Sequence, residues 1–422
     1  MTAQLASESH THPSLSALRQ QMTELFEGGF SNGCALSVYH KGDNIAQLWG
    51  GFSDRELEMP WQKDTLVNVF SASKGILSAA ILRLIESKQL DPDAPIARYW
   101  PAFANGGKHD ITTREVLSHR AGLCAFTHFI PREDCYLWPD MKRHVERMQP
   151  IADFRGKQAY APFTFGWILG GLIEALTDTP PQQHLTQLCK QHQIDYHLGL
   201  SDTAMQRTAP VQPKPSPDQQ KPSGARKPQQ KPDATAVREA DQKHFQRALD
   251  QQDWRTLAFE NPRSLAGGSN SSVWRRAGVP AAGGHCSADA LARFYMQLSP
   301  GSHNKKPIAT SITGLNQPWS ESDKDACTCA PMAFAGGFMF SQHGDAITLT
   351  PQGTAIGHAG AGGSLGLLDI EHDIAIGFVT RDLSPGLLAG GKAQKLIRTL
   401  YNGLHEQALI KSLRPANCQR DR

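Results

Sequence analysis

Between Ser71 and Leu90 the chain has no polar face for about three helical turns. Ile76, Leu77, Ala79, Ala80, Ile81, Leu84 and Ile85 crowd it, and beyond Lys74 charge enters only at Arg83, Glu86 and Lys88. A helix apolar on nearly all sides must be wrapped by other elements. The spacing predicts one buried helix over 71–90, ended by Asp91-Pro-Asp-Ala-Pro95, since proline disfavours helix at the residue before it.

The rest of the chain supplies the wrapping. A helix is predicted over Leu15–Phe26, then a strand over Cys34–His40, a turn at Lys41-Gly-Asp43 and a return strand over Asn44–Gly50. Leu66–Phe70 is a short apolar stretch leading into Ser71. Thr112-Thr-Arg-Glu115 fits a capping box opening a helix, which Gly122 is expected to close, and Phe165–Thr177 is a further helix. Strand patterns return late, over Ala333–Ser341, Thr354–His358, Ser364–Asp369 and Ile374–Thr380, before a final helix over 390–409. One sheet built from both chain ends, with a helical middle as an insertion, accounts for this order.

Composition narrows the class. At 422 residues the chain suits two or three domains, or one large domain with an insertion. A hydrophobic share of 39% and a charged share of 20% are those of an ordinary globular protein. The most apolar stretch, Trp167–Leu176, is short and contains Glu174, so no membrane span is expected. The N-terminus has neither a basic nor an apolar leader region, and the expected location is the cytoplasm. The net charge of +3 is too small to argue for a nucleic-acid partner. Residues 209–236 account for it, with seven prolines and five basic residues against two acidic ones. They read as a disordered surface loop whose replacement should leave the fold intact. The eight scattered cysteines read as free thiols, and Cys327-Thr-Cys329 is a weak metal signal without a second pair. No metal or cofactor is expected.

Ser71-Ala-Ser-Lys74 is a Ser-x-x-Lys at the start of the buried helix. At this spacing the two side chains share a helical face, about 5–6 Å apart at Cβ. Burial and the helix N-terminus both disfavour an ammonium there, and a neutral amine can take the serine's proton. Free N–H groups at the helix start suit an oxyanion. The bland alternative is an N-cap serine, with the lysine snorkelling to solvent. A second match, Ser302 to Lys305, lies in a Gly/Asn/Lys loop without such a helix. Gly362-Gly-Ser-Leu-Gly366 invites a nucleophile-elbow reading of Ser364, but a strand rather than a helix is expected to follow it. Taken alone, Tyr160 reads as a half-buried loop residue and His358 as structural.

Together, the stretches Ser37–Gly42, Leu48–Phe52, Leu66–Lys74, Leu90–Pro101, Asp110–Leu123 and Gly357–Gly366 resemble the serine β-lactamase-related family. That family includes class C β-lactamases, DD-peptidases and family VIII carboxylesterases. The resemblance implies an α/β (α+β) fold, with a mostly antiparallel sheet flanked by helices and an inserted all-helical region. Residues 1–70 and 275–422 would form the sheet domain and 71–274 the helical region. It further implies Ser71 as acylated nucleophile, Lys74 as its base and Tyr160 as the second-motif tyrosine. His358, Ala359 and Gly360 would be the substrate-binding third motif, and the N–H groups of Ser71 and Ala361 the oxyanion hole. On this reading Lys74 is neutral or shares a proton with Tyr160, whose phenolate a nearby cation would favour.

Two departures from the family pattern bear on substrate. Pro162 stands where the lactamases have an asparagine, and His358 where they have a lysine that binds the β-lactam carboxylate. A carboxylesterase on small esters is therefore the expected function. A β-lactamase or D-amino-acid peptidase is the first alternative, and a catalytically weak binding or filament-forming module the second. The expected partner is a small-molecule ester or amide, with no nucleic acid and no membrane; a homo-oligomer is left open.

Overall fold

The protein is described from a computed structural model covering residues 2–213, 233–263, 268–300, 307–341, 349–351, 355–385 and 390–406. Its strands are β1 (His10–Thr11), β2 (Gly33–His40), β3 (Asp43–Gly51), β4 (Val67–Asn68), β5 (Tyr196–Leu198), β6 (Gln212–Pro213) and β7 (Gly284–Cys286). They continue as β8 (Ser320–Ser322), β9 (Met332–Ala335), β10 (Phe338–Phe340), β11 (Ala355–Ala359), β12 (Leu365–Asp369), β13 (Ile374–Thr380) and β14 (Asp382–Leu383). The main sheet runs β1–β3–β2–β13–β12–β11–β10–β9–β8, antiparallel throughout, so β2 from the N-terminal part pairs with β13 from the C-terminal part. Small sheets β4–β7–β5 and β6–β14 complete the pairing.

Side-chain alternation explains the layering. Ile374, Ile376 and Phe378 of β13 join Leu36, Val38 and Leu48 beneath the helices Ser16–Glu27 and Gly391–Glu406. Ala375 and Val379 face the other way, with Ala35, Ile356, Leu368 and Leu291 of the Ala288–Met296 helix. In the β2–β3 hairpin, Lys41 (φ 51°) and Gly42 (φ 92°) take the left-handed pair that matches strand twist. The predicted strand over 333–341 is instead the hairpin β9–β10. Gly336 (φ 58°) and Gly337 (φ 85°) fold it back, a turn hidden inside a continuous apolar run.

The central helix spans Ser73–Glu86 behind a short 3₁₀ turn, Phe70–Ala72, and every residue from Ser73 to Leu82 is buried. It ends four residues earlier than predicted. Lys88 turns left-handed (φ 58°), its N–H bonds Ile85 O, and the Gln89 N–H bonds Leu84 O. This is a Schellman cap, so Asp91–Pro95 comes after the stop rather than causing it. The capping box at Thr112 and Glu115 is formed. That helix ends at Leu117, and His119 (φ 54°), not Gly122, takes the left-handed position after it.

Of the segment 209–236, residues 214–232 lie outside the described residues, as do Ser302–Lys305 and Cys418. The segment's flanks are part of the fold, which corrects its reading as one loop. Ala209 and Val211 are buried, β6 pairs with β14, and Asp233 caps the helix Ala234–Asp250. Averaging composition over the whole stretch hid the alternation of apolar residues at its start. Among the described residues no helix is long and apolar enough to cross a membrane.

Candidate active site

The Phe70–Ala72 turn presents Ser71 at the N-terminal end of the central helix. Phe70, just before it, holds a left-handed backbone (φ 47°), which costs a non-glycine residue about 1–2 kcal/mol. Ser71 is half-buried, whereas Lys74 is fully buried and Tyr160 is 4% exposed. Lys74 Nζ lies 3.2 Å from Ser71 Oγ, and Tyr160 OH lies 3.0 Å from the same oxygen. Lys74, one helical turn on, and Tyr160, 89 residues on in sequence, thus converge on one hydroxyl.

The surroundings of Lys74 define its proton state. Nζ donates to Pro162 O at 2.7 Å and Ala281 O at 3.2 Å, and no carboxylate bonds it among the described residues. A neutral amine gives both N–H bonds to these carbonyls and keeps its lone pair for the Ser71 hydroxyl proton. Ser71 Oγ can then accept from Tyr160 O–H, so each group is satisfied without a charge. Burial pushes the Lys74 ammonium well below the usual lysine range and pushes the Tyr160 phenol well above the usual tyrosine range. The phenolate expected from a neighbouring cation is therefore not favoured. Both groups are driven to neutrality because both are desolvated, and a neutral lysine offers no field to stabilise phenolate.

The third motif lies on β11, two strands from β13 and beside the Ser71 turn. Gly360 is required there, since a Cβ would stand 2.1 Å from Val69 O. Gly360 thus packs directly on the turn that carries Ser71, and Ala361 is the next residue in the chain. His358 is 1% exposed, and its Nδ1–H donates to Ala359 O at 2.8 Å. Burial lowers its pKa to about 3, so it carries no charge near neutrality. Its Nε2 is buried with no hydrogen-bond partner among the described residues. Ser364 precedes β12, as expected, and no helix follows it.

Three contributors escaped the sequence reading. Pro162 was noted only as a missing amide, yet its carbonyl holds Lys74. Ala281 offers the second carbonyl from a segment without any motif. Asp325 is fully buried and accepts from Tyr160 N–H (2.9 Å), Cys327 N–H (3.0 Å) and Thr328 N–H (2.9 Å). The Cys-Thr-Cys pattern therefore belongs to an Asp-centred turn. Cys327 is buried and Cys329 exposed, and no cluster of three metal-ligating side chains occurs among the described residues.

The Beta-lactamase family model matches residues 18–397. The chain is 30% identical over 386 residues to "Esterase/beta-lactamase LipL" of Mycobacterium tuberculosis, covering 88% of this chain and 82% of that protein. Among solved structures, a penicillin-binding protein homologue from Caulobacter crescentus covers 95% of this chain and 100% of its own, with a TM-score of 0.78 at 24% identity. A family VIII carboxylesterase matches equally well, with a TM-score of 0.78 at 23% identity over 95% of this chain and 100% of its own. The fold is that of β-lactamases and transpeptidases, and the chain belongs to the Beta-lactamase family of serine hydrolases.

Proposed function

We propose that this hydrolase is a carboxylesterase that forms an acyl-enzyme on Ser71. Lys74 takes the Ser71 proton as Oγ attacks the ester carbonyl. The N–H groups of Ser71 and Ala361 hold the resulting oxyanion. Tyr160 hands a proton to the departing alkoxide and is reprotonated from the Lys74 ammonium. In deacylation water attacks the acyl carbon, its proton enters through the same pair, and Ser71 leaves protonated.

The observation that carries the ester reading is the neutral, buried His358 at the third motif, where recognition of a β-lactam carboxylate calls for a cation. Pro162 adds to it, because a carbonyl on Lys74 replaces a side-chain amide. A β-lactamase activity is the second reading, favoured by the double name of the Mycobacterium tuberculosis relative. Comparing kcat/KM for p-nitrophenyl acetate and butyrate with that for nitrocefin tests the choice. The esters are expected to exceed nitrocefin by at least about 10²-fold, the scale of losing one charge-assisted contact. Equal values, or a preference for nitrocefin, would overturn the ester assignment.

The pH profile follows from the same groups. Lys74 acts only when neutral, and its pKa is lowered, so kcat/KM should rise with pH through that lowered value and reach a plateau below the ordinary lysine range. Burial raises the Tyr160 pKa, so phenolate formation should not depress activity up to about pH 10. A rise that continues through about pH 10.5 would mean an unperturbed lysine.

A further inference from the structure

The segment that carries Tyr160 lies in neither helix nor strand, yet three successive backbone N–H groups are anchored outside it. Ala159 N–H donates to His119 O at 2.9 Å, Tyr160 N–H to Asp325 Oδ2 at 2.9 Å, and Ala161 N–H to His119 Nδ1 at 3.1 Å. His119 thus grips the chain on both sides of Tyr160. Its ring also packs on Tyr160 (centroids 5.0 Å apart), stacks on Phe165 (4.9 Å) and meets Phe334 edge-on (4.3 Å). The residue after this segment, Pro162, is the one whose carbonyl holds Lys74.

The position is unusual for a histidine. His119 follows the helix Thr113–Leu117 in a left-handed conformation, with its N–H on Val116 O and the Arg120 N–H on Glu115 O. Glycine is the common occupant of this cap, so a residue serving the helix alone need not carry a side chain. Here the side chain is 3% exposed and turned onto the Tyr160 segment. Nδ1 accepts an N–H, so the neutral ring keeps its proton on Nε2, which is buried without a partner among the described residues.

We propose that His119 is a positioning residue for acyl transfer: as a neutral imidazole it fixes residues 159–162, and so sets the Tyr160 hydroxyl on Ser71 and the Pro162 carbonyl on Lys74. This rests on the Ser71 hydrolase reading above. Burial holds the His119 pKa well below the ordinary histidine value, in keeping with an acceptor Nδ1.

Two full-chain variants separate this role from helix capping. His119→Gly keeps the left-handed backbone without strain but removes the acceptor and the ring. His119→Asn tolerates the same backbone and places Oδ1 close to where Nδ1 stands, without any Nε2. With p-nitrophenyl butyrate, His119→Gly should lose at least about 10²-fold in kcat, in both acylation and deacylation, with KM changed by less than about threefold, because a displacement near 1 Å costs that much. His119→Asn should recover to within about tenfold of wild type. A folded His119→Gly enzyme with kcat within about threefold of wild type overturns the proposal, as does a folded Asn variant as slow as the Gly one. If the Gly variant does not fold, nitrogen-15 spectra of the wild-type histidines decide: the Nε2–H tautomer at His119 supports the proposal, and the Nδ1–H tautomer contradicts it. Failure of the Ser71 reading itself would show separately, as ester turnover that survives Ser71→Ala.

Discussion

Ser71→Ala is expected to leave ester turnover at least about 10⁴-fold below wild type, with the protein folded and KM little changed. The substitution removes the one oxygen on which Lys74 and Tyr160 converge, and with it the covalent route. Its loss in alanine leaves a small apolar group on a half-buried turn, so stability should hardly change. Ser364→Ala, by contrast, should retain most activity. Ser364 is followed by strand β12, so it lacks the helix N-terminus that an elbow nucleophile uses for its oxyanion. Steady-state kinetics on p-nitrophenyl acetate with circular dichroism as the folding control checks both variants. Near-normal turnover in Ser71→Ala would contradict the assignment.

Lys74→Met and Lys74→Arg should each lower kcat by about 10³-fold or more, for different reasons. Methionine has no base. Guanidinium stays protonated throughout the accessible pH range, so it cannot serve as the base. Lys74→Met and wild type should also differ in how their stability depends on pH. In the folded protein the Lys74 pKa is depressed, so the folded state binds fewer protons than the unfolded one between that value and the ordinary lysine value. Wild-type stability therefore rises with pH across this window, as the burial cost of a group that unfolds to an ammonium is relieved. Lys74→Met lacks this contribution but leaves two carbonyls unpaired, at about 1–3 kcal/mol each. Whatever its offset, the difference in Tm between Lys74→Met and wild type should shift in favour of wild type as pH rises from 6 toward 10. A difference constant with pH would show that Lys74 titrates normally in the folded chain.

The sequence carried the parts of this account that rest on local pattern. The all-round apolar helix gave the burial of Lys74, and the i, i+3 spacing gave its approach to Ser71. The strand at 374–380 is found over the same residues, because a short continuous apolar run bounded by turn residues marks a strand buried on both faces. The β9–β10 hairpin was missed, because two glycines inside an apolar run look like strand interior. The helix stop at Lys88 was missed, because a lysine in a left-handed cap has no compositional sign. Tyr160 was identified only by resemblance: its segment has no regular structure, and its place is set by His119 and Asp325, 41 and 165 residues away in sequence. The lowered Lys74 pKa was legible from the apolar helix, but the Tyr160 phenolate was not the right partner for it, because the same burial that lowers the Lys74 pKa raises that of Tyr160. The carbonyl cage from Pro162 and Ala281 is a backbone feature, and side-chain identity does not encode it.

The central claim is that one acyl group is carried on Ser71. Intact-mass analysis of the full chain, quenched in acid during turnover of a short p-nitrophenyl ester, measures this directly when the modified peptide is then mapped. The account predicts a single acyl addition, confined to the peptide containing Ser71 and absent from Ser71→Ala. An adduct on Ser364 or another residue with Ser71 unmodified, or the same adduct formed on Ser71→Ala, would contradict it.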